Sequence, residues 1–308
     1  MHDTAYEHGR LFFELYGSET VRTVVELGSQ DVNGSLRDHC PAHAHYIGLD
    51  VMPAKGVDLV INPTAPLPIA SETVDAVVTS SAFEHDMCFW ETFLELARIL
   101  RPGGLLYLNA PSNHEFHRYP LDCWRFYPDA GVALVQWAVR RGLQMELVES
   151  FIGLPKAEHW ADFVAVFRKS GGAPLIRKGR IADHVSAINV HNLGMRPGGK
   201  LEAERKNMPD MTIAMNLRFE LAARETEVAV AAQSNAALSR DVLAAQAEAA
   251  ALRRDLDQAE GRLDQAATRL DQTARRLDQA ERRINDLAAD LAGARIRSQT
   301  CKTACPGG

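Results

Sequence analysis

Two stretches near the amino terminus have the residue types and spacing of a site for a nucleotide-type cofactor. An apolar, β-branched run ends at Gly28, which lets the backbone turn sharply and leaves it open to a ligand. A second apolar run ends in Asp50, about 20 residues later. At the carboxyl end of a parallel strand, an ionised carboxylate can accept two hydrogen bonds from a ribose diol. Dinucleotide enzymes would need a glycine triplet, but Gln30 and Asn33 stand in this loop.

A second chemically dense segment spans residues 109–129 and combines histidines, arginines, aspartates and aromatic residues. If the acceptor of a transfer reaction is a hydroxyl, a general base is needed, and His117 or His85 is the candidate. Asp122 is the third catalytic candidate. The aromatic rings of this segment (Trp124, Phe126, Tyr127) are expected to be core, with Arg125 paired internally, because large rings are usually buried.

These side chains require an α/β framework, and the apolar patterns supply one. Helices are predicted over residues 5–17, 89–100 and 130–141, the last with Asp129 as its N-cap. Strands are predicted around residues 23–27, 46–51, 74–81, 105–108, 144–151 and 162–168, with a further strand before Asn62. One of the two closing strands is expected to be antiparallel. Function-bearing loops then lie beyond the carboxyl ends of the parallel strands.

With these motifs in order, residues 20–169 resemble the class I S-adenosylmethionine-dependent methyltransferases of the small-molecule type. The resemblance rests on Glu26-Leu27-Gly28, Asp50, Glu84-His85 and the turn at residues 100–104, in the family's order and spacing. It implies a Rossmann-like seven-stranded methyltransferase sheet with helices on both faces. Two departures from the family pattern are Gln30, in place of the second loop glycine, and the lack of an acid after the third strand.

The resemblance implies S-adenosylmethionine as the cofactor and assigns a binding role to residues that match the family's motifs. The loop from Gly28 to Gly34 would receive the amino-acid end, Asp50 the ribose, and Asn62 or Thr64 the adenine, while Glu84 would orient the loop or the cofactor. The full set of predicted cofactor-binding residues is Glu26, Gly28, Ser29, Gln30, Asn33, Asp50, Val51, Asn62, Thr64, Leu67, Ser80 and Glu84.

The carboxyl-terminal part has the heptad pattern of an α-helical coiled coil. Leu or Ile recurs every seventh residue from Leu256 to Leu291, and mostly small residues occupy the complementary position from Leu252 to Leu287. Arginines recur at the flanking g positions (Arg262, Arg269, Arg276, Arg283), only partly offset by Glu260 and Glu281. The pattern predicts a homo-oligomer or a helical protein partner, with the orientation of the helices left open.

The predicted domains are a methyltransferase domain at 1–169, a linker at 170–216, a coiled coil at 217–297 and a disordered tail at 298–308. The composition shows no run of about 18 apolar residues, so no membrane span is expected. Five cysteines without zinc or disulfide spacing favour the cytoplasm, and no metal site is predicted. Residues 1–169 carry 13 Lys or Arg against 22 Asp or Glu, which argues against a nucleic-acid substrate.

The function predicted from these observations is methyl transfer (general class EC 2.1.1) to a small-molecule or sugar- or polysaccharide-type acceptor. The resemblance alone suggests the glycan acceptor. Two alternatives stay open at this point. One is a catalytically inactive methyltransferase fold that serves as a scaffold, with the coiled coil as its working part. The other is a nicotinamide-dependent oxidoreductase, which the missing glycine triplet disfavours.

Overall fold

The computed structural model describes residues 2–17, 19–195 and 197–302, with side chains described as far as residue 296. Eight strands form one sheet in the order β3-β2-β1-β4-β5-β7-β6-β8. The strands are β1 (Thr23–Leu27), β2 (His45–Asp50), β3 (Leu59–Val60), β4 (Val74–Ser80), β5 (Leu100–Pro111), β6 (Met145–Gly153), β7 (Asp162–Lys169) and β8 (Ala187–Asn192). The sheet is mostly parallel, which confirms the predicted Rossmann-like fold class.

Strand β1 lies inside the sheet, between β2 and β4, and both pairings are parallel. Its residues Val24 and Val25 are fully buried, as expected for β-branched residues in a strand covered on both faces. The register sets Leu27 opposite Leu49 on one side and Thr79 on the other. Because the strands are parallel and in this register, the loops after β1, β2 and β4 leave the sheet at the same edge.

Helices cover both faces of the sheet, as predicted. They are α1 (Asp3–Tyr16), α2 (Phe89–Ile99) and α3 (Ala130–Arg140). Helices α2 and α3 contribute Phe93 and Leu134 to one apolar core, and α1 contributes Phe12 to a second core. Each core also contains side chains from the central strands, whose alternate residues point to opposite faces. Two apolar layers therefore hold the central strands in place from both sides.

The sheet closes with an antiparallel strand, as expected, and then continues by one strand more than predicted. Strand β7 runs antiparallel to both β5 and β6, and β8 pairs antiparallel with β6. Strand β8 lies within residues 170–216, which the sequence suggested were a linker. Its apolar residues Ile188 and Val190 are buried, so this short run belongs to the sheet. Asp129 makes no side-chain cap to α3; its carboxylate lies 2.9 Å from His191 of β8 instead.

The carboxyl-terminal part of the chain is one long helix, α4 (Pro209–Lys302), of 94 residues. The described residues divide into two units, with the boundary after Phe219. Within the second unit, the heptad Leu and Ile side chains from Leu256 to Leu291 are 59–73% exposed. Residues 303–308, which include Cys305 and most of the predicted tail, lie outside the described part of the chain. No helix among the described residues is both long and apolar enough to cross a membrane.

Candidate active site

The loop after β1 is shaped by backbone contacts that only a glycine tolerates at position 28. Gly28 has a φ of +81°, and a Cβ atom there would lie 2.7 Å from the Cβ of Ala82, in the turn after β4. The N–H groups of Gly28 and Ser29 both donate to the carbonyl of Leu49, at 2.9 and 3.1 Å. The loop therefore packs tightly between the ends of β2 and β4.

Asp50 ends β2 and holds its carboxylate beside this loop. One oxygen accepts the N–H of Gln30 at 3.1 Å, and the other accepts the N–H of Val51 at 2.7 Å. A carboxylate has about four acceptor positions, so two remain after these bonds. The arrangement fixes the carboxylate by main-chain donors and leaves acceptor capacity for a diol.

Glu26 lies just below the loop, on β1, and is buried. Its carboxyl group accepts a hydrogen bond of 2.7 Å from the Tyr46 hydroxyl. Burial raises the pKa of Glu26 to about 7, against the lowering effects of the Tyr46 bond and of Arg37. The site thus contains a carboxyl group that titrates close to neutral pH. We refer to residues 26–34 and 46–51 as the glycine-loop wall.

The other predicted cofactor-binding residues are in varied surroundings. Ser29 and Ser80 are buried, and their hydroxyls have no hydrogen-bond partner among the described residues. Asn33 and Val51 are exposed. Asn62 accepts both the N–H and the hydroxyl of Thr64, at 3.0 and 2.9 Å, in a local turn. Leu67 is buried in the core, and its N–H donates to Glu95 at 2.9 Å. The polar groups of Asn62 and Thr64 and the N–H of Leu67 therefore already have hydrogen-bond partners inside the protein.

A second wall consists of residues 84–86 and 113–126, which we call the histidine wall. Arg125 organises it, because its guanidinium donates to both oxygens of Asp122, at 2.6 and 2.9 Å, and to the carbonyls of Asn113 and Glu115. The Arg125 guanidinium lowers the pKa of Asp122 to about 2. The Asp122 carboxylate also accepts a hydrogen bond of 2.7 Å from the main-chain N–H of His117. Arg125 is therefore paired internally, as predicted.

The three residues Glu84, His85 and His117 come together on this wall. The His85 and His117 rings are perpendicular, with centroids 5.1 Å apart. Glu84 is 1% exposed, and burial raises its pKa to about 8. Burial also lowers the pKa of His85. The main-chain carbonyl of Glu84 accepts the N–H groups of Cys123 and Trp124, which joins the turn after β4 to the loop after β5.

The aromatic side chains at positions 124, 126 and 127 divide between core and surface. Phe126 is buried, as predicted. Tyr127 was expected in the core, but it is 61% exposed, and Trp124 lies at the margin between exposed and half-buried. Tyr127 immediately precedes Pro128 and the start of α3. Side chains at such loop positions have no sheet or helix layer to cover them, which explains the difference.

Two contacts of the site do not follow from the sequence. The Tyr119 hydroxyl donates to the side-chain oxygen of Gln30 at 3.1 Å and so joins the two walls. Trp160 stacks on His114, with centroids 4.1 Å apart, and meets the His117 ring edge-on at 5.2 Å. Trp160 lies just before β7, and only the pairing of β7 with β5 brings it beside His117. No local spacing signals either contact.

Comparison with known proteins gives one family match, which covers about a quarter of the chain. Residues 27–108 match the family model described as a methyltransferase domain. This range contains the glycine loop, Asp50 and Glu84-His85. No curated protein matches the chain.

Several solved structures are similar at low identity. The putative methyltransferase complexed with the Trm112 methyltransferase activator from Haloferax volcanii is 19% identical, with a TM-score of 0.40, over 55% of this chain and 90% of that chain. The 1,6-didemethyltoxoflavin-N1-methyltransferase from Burkholderia thailandensis, solved with S-adenosylhomocysteine, is 13% identical with a TM-score of 0.41, over 54% and 79%. A SAM-dependent methyltransferase from Archaeoglobus fulgidus is 12% identical with a TM-score of 0.40, over 54% and 93%. Similarities this distant carry no argument about activity. What stands is a Rossmann-like sheet whose glycine-loop half matches a methyltransferase domain.

Proposed function

We propose that the chain is an S-adenosylmethionine-dependent methyltransferase acting on a small-molecule or sugar-type acceptor. The observation that carries the proposal is the geometry of the glycine loop and Asp50, within the segment that matches the methyltransferase domain. A bare backbone turn at Gly28 lies beside a carboxylate with free acceptor positions. This combination suits a ribose with an attached chain that runs along the loop.

The residues of the glycine-loop wall fit an adenosine-type cofactor. Asp50 would bind the ribose diol, and the unpartnered Ser29 and Ser80 hydroxyls would find partners in a bound molecule. Exposed apolar side chains at the ends of β2 and β3 (Val51, Met52, Leu59, Val60) suit the face of a purine. Because Asn62 and Thr64 bond to each other, apolar packing is the better-supported contact for adenine.

The histidine wall supplies the surroundings of the acceptor. S-adenosylmethionine carries the methyl group on a sulfonium, so the chain itself must hold the acceptor in line with that methyl. A hydroxyl acceptor must lose a proton, which a ring nitrogen of His117 or His85 would take as general base. Arg125 and Asp122 hold His117 in its loop, so Asp122 acts as a positioning residue. Buried Glu84 orients the turn through its main-chain bonds to residues 123 and 124.

Exposed aromatic rings support a sugar-type acceptor. Phe116 is 70% exposed, and Tyr119 and Tyr127 are also largely exposed, all in the loop that carries His117. The C–H faces of a sugar ring pack well on aromatic rings, while its hydroxyls reach polar neighbours. Exposed apolar groups concentrated in one functional loop are typical of binding surfaces.

The test of the cofactor assignment is the affinity of Asp50 variants of the full chain for S-adenosylmethionine. Loss of a charged hydrogen-bond partner costs about 1.5–3 kcal/mol, so Asp50→Ala should bind about ten- to a hundredfold more weakly. Asp38→Asn, at an exposed position outside the site, is the matched control and should bind normally. Unchanged affinity of Asp50→Ala would remove the ribose assignment.

For the long helix we propose self-association of residues 217–297 through the heptad seam. In one chain the seam is open to solvent, although burial of each Leu would stabilise a bundle by about 1.5–3 kcal/mol. Arginines at the g positions would line both flanks of a parallel dimer with positive charge, which Glu260 and Glu281 at e positions offset only in part, so a helical protein partner is the alternative.

Sedimentation of the full chain tests this proposal. The parent should form oligomers at micromolar concentration, and a chain with Leu270→Asp and Leu277→Asp should be monomeric. Thr268→Asp, on the opposite face of the helix, is the matched control and should keep the parent's oligomeric state. A monomeric parent would contradict self-association and favour the helical partner.

A further inference from the structure

The cluster of Glu84, His85 and His117 has the composition and spacing of a metal site. Each of the three offers a ligand atom, and these atoms all lie within 4.8 Å of one another. A carboxylate oxygen of Glu84 lies 3.7 Å from Nε2 of His85. In tetrahedral coordination at about 2.0–2.1 Å, two ligand atoms are about 3.4 Å apart. Shortening the ligand–ligand distances by up to about 1.4 Å would therefore close the three residues around an ion.

The hydrogen bonds behind the two histidines leave one nitrogen of each ring free for an ion. Nδ1 of His85 bonds to the carbonyl of Leu121, so Nε2 is the free nitrogen. Nδ1 of His117 lies 3.4 Å from the carbonyl oxygen of Glu115 and 3.5 Å from a carboxylate oxygen of Asp122. A guanidinium nitrogen of Arg125 also lies 3.5 Å from this Nδ1, so Nε2 is the free nitrogen of His117. Metal-ligating histidines commonly donate their second N–H to a carbonyl or carboxylate in this way.

The Glu84 side chain is a second, independent observation. It is 1% exposed, and its Oε2 atom has no hydrogen-bond partner among the described residues. Buried carboxyl oxygens without a partner are costly, and a bound cation would satisfy this one. The main chain holds Glu84 rigidly, because its carbonyl accepts the N–H groups of Cys123 and Trp124. The carboxylate that carries the unpartnered oxygen and the two histidine rings with a free nitrogen are thus the same three residues whose ligand atoms lie within 4.8 Å of one another.

We propose that Glu84, His85 and His117 bind a divalent transition-metal ion of the zinc class. Two imidazoles and one carboxylate suit Zn²⁺, Co²⁺ or Fe²⁺ rather than Mg²⁺, which prefers oxygen ligands. Three protein ligands leave an open coordination position, as in catalytic rather than structural zinc sites. The loop that supplies His117 also carries the exposed aromatic residues, so the proposed ion lies in the loop that is proposed to surround the acceptor.

The role of this ion rests on the proposed methyl transfer, whereas its binding does not. A hydroxyl bound at the open position becomes more acidic, as metal-bound water does. Its proton is lost to solvent, its oxygen forms the new C–O bond, and the methyl–sulfur bond breaks with the electron pair going to sulfur. In this arrangement the histidines act as ligands, and the ion replaces a histidine general base.

Metal binding is tested on the full chain after removal of metals with a chelator. Zn²⁺ and Co²⁺ are titrated by calorimetry, and the Co²⁺ complex is followed by its visible absorption. The proposal expects one ion per chain with a micromolar or lower dissociation constant. Loss of a ligand in Glu84→Gln or His117→Asn should weaken binding more than about 100-fold, because even changes behind the ligands cost 10- to 100-fold. His159→Gln, in the neighbouring loop with an exposed imidazole, is the matched control.

S-adenosylmethionine affinity is measured on the same samples, so that failures can be told apart. Saturable metal binding that is lost in both ligand variants, with the cofactor affinity of His117→Asn unchanged, supports the metal site. No saturable metal binding by a parent that still binds S-adenosylmethionine overturns it and leaves the proposed function standing. Metal binding retained in His117→Asn, a variant that keeps buried Glu84 intact, also overturns it. A parent that binds the ion but not S-adenosylmethionine would support the metal site and contradict the proposed function.

Discussion

The glycine-loop wall is held largely by main-chain N–H donors of one loop that meet the end of the next strand, whereas the histidine wall depends on the side chain of Arg125, which gathers the loop after β5. Gly28, Ser29 and Gln30 donate their N–H groups to Leu49 and Asp50, the next strand along the chain. On the histidine wall, Arg125 alone joins Asn113, Glu115 and Asp122. The fold of the glycine-loop wall should therefore tolerate most side-chain substitutions, whereas the fold of the histidine wall should depend on a few polar side chains.

The largest expected effect of a single change is on the histidine wall. His117→Gln should slow methyl transfer by about 10²–10⁴-fold, because the acceptor loses a base or a metal ligand. S-adenosylmethionine affinity should stay within about twofold, since the glycine-loop wall is untouched. Turnover at saturating acceptor, with calorimetry of the cofactor, measures both. Near-normal turnover would show that His117 is structural or that the acceptor needs no activation.

Loss of Arg125 should destabilise the histidine wall as a whole. Arg125→Met leaves the Asp122 side chain, only 2% exposed, without its partner, which costs about 3 kcal/mol or more. The free energy of unfolding in urea measures this cost. The matched control is the double variant with Asp122→Asn, which removes the buried charge and should recover part of the loss. If Arg125→Met is as stable as the parent, side chains do not hold this wall.

Much of the glycine-loop wall could be predicted from the sequence, because it is built from neighbours in the chain. Strands β1 and β2, the turn at Gly28 and the position of Asp50 all follow from local apolar patterns. The histidine cluster could be predicted only in part. Glu84 and His85 are adjacent in sequence, but His117 joins them because the loop after β5 folds back onto the turn after β4.

The remaining differences have the same physical origin. Strand β8 is a six-residue run between stretches rich in Gly, Pro and charge, and only the open edge of β6 makes it a strand. Asp129 bonds to His191 of that strand rather than capping α3. Trp160 reaches His117 through strand pairing across the sheet. In each of these three places, contacts with residues distant in the sequence set the local structure, and a local sequence pattern does not show such contacts.

The pH dependence of stability should report on Glu26 in the glycine-loop wall. Its pKa is about 7 in the folded chain and 4.5 in the unfolded chain, so the folded form alone keeps the proton between these values. The free energy of unfolding therefore falls as pH rises from about 4.5 to 7, in total by about 3 kcal/mol, and stays low above that.

Comparison with Glu26→Gln isolates this contribution. The free energy of unfolding is measured in urea at each pH for the parent and the variant. The difference between the two free energies should change across pH 5–7 and be constant above about pH 8. Glu14→Gln, at an exposed position of α1, is the matched control and should keep the parent's profile. Parallel profiles for the parent and Glu26→Gln would mean that Glu26 is ionised in the folded chain.

The smallest effect expected, and the sharpest test of the main-chain wall, compares two glycines. Gly28 and Gly142 have φ values of +81° and +87°, so alanine costs about 1–2 kcal/mol of strain at either position. At position 28 the new Cβ would lie 2.7 Å from the Cβ of Ala82, whereas a Cβ added at position 142 would point into open space. Gly28→Ala should therefore weaken S-adenosylmethionine binding about tenfold or more, and Gly142→Ala should not.

Combining Gly28→Ala with Ala82→Gly provides the control, because it removes the clash and keeps the strain. Calorimetry should then show that part of the lost affinity returns. If Gly28→Ala binds S-adenosylmethionine as tightly as the parent, the packing of the loop against Ala82 does not set the affinity.

Calorimetry of the full chain with S-adenosylmethionine and with NAD⁺ tests the central claim most directly. We predict saturable binding of one S-adenosylmethionine per chain and no comparable binding of NAD⁺, because the glycine loop has no triplet to receive a pyrophosphate. Tighter binding of NAD⁺ would favour an oxidoreductase. Binding of neither molecule would contradict a cofactor site between Gly28 and Asp50, and would favour a scaffold whose working part is the long helix.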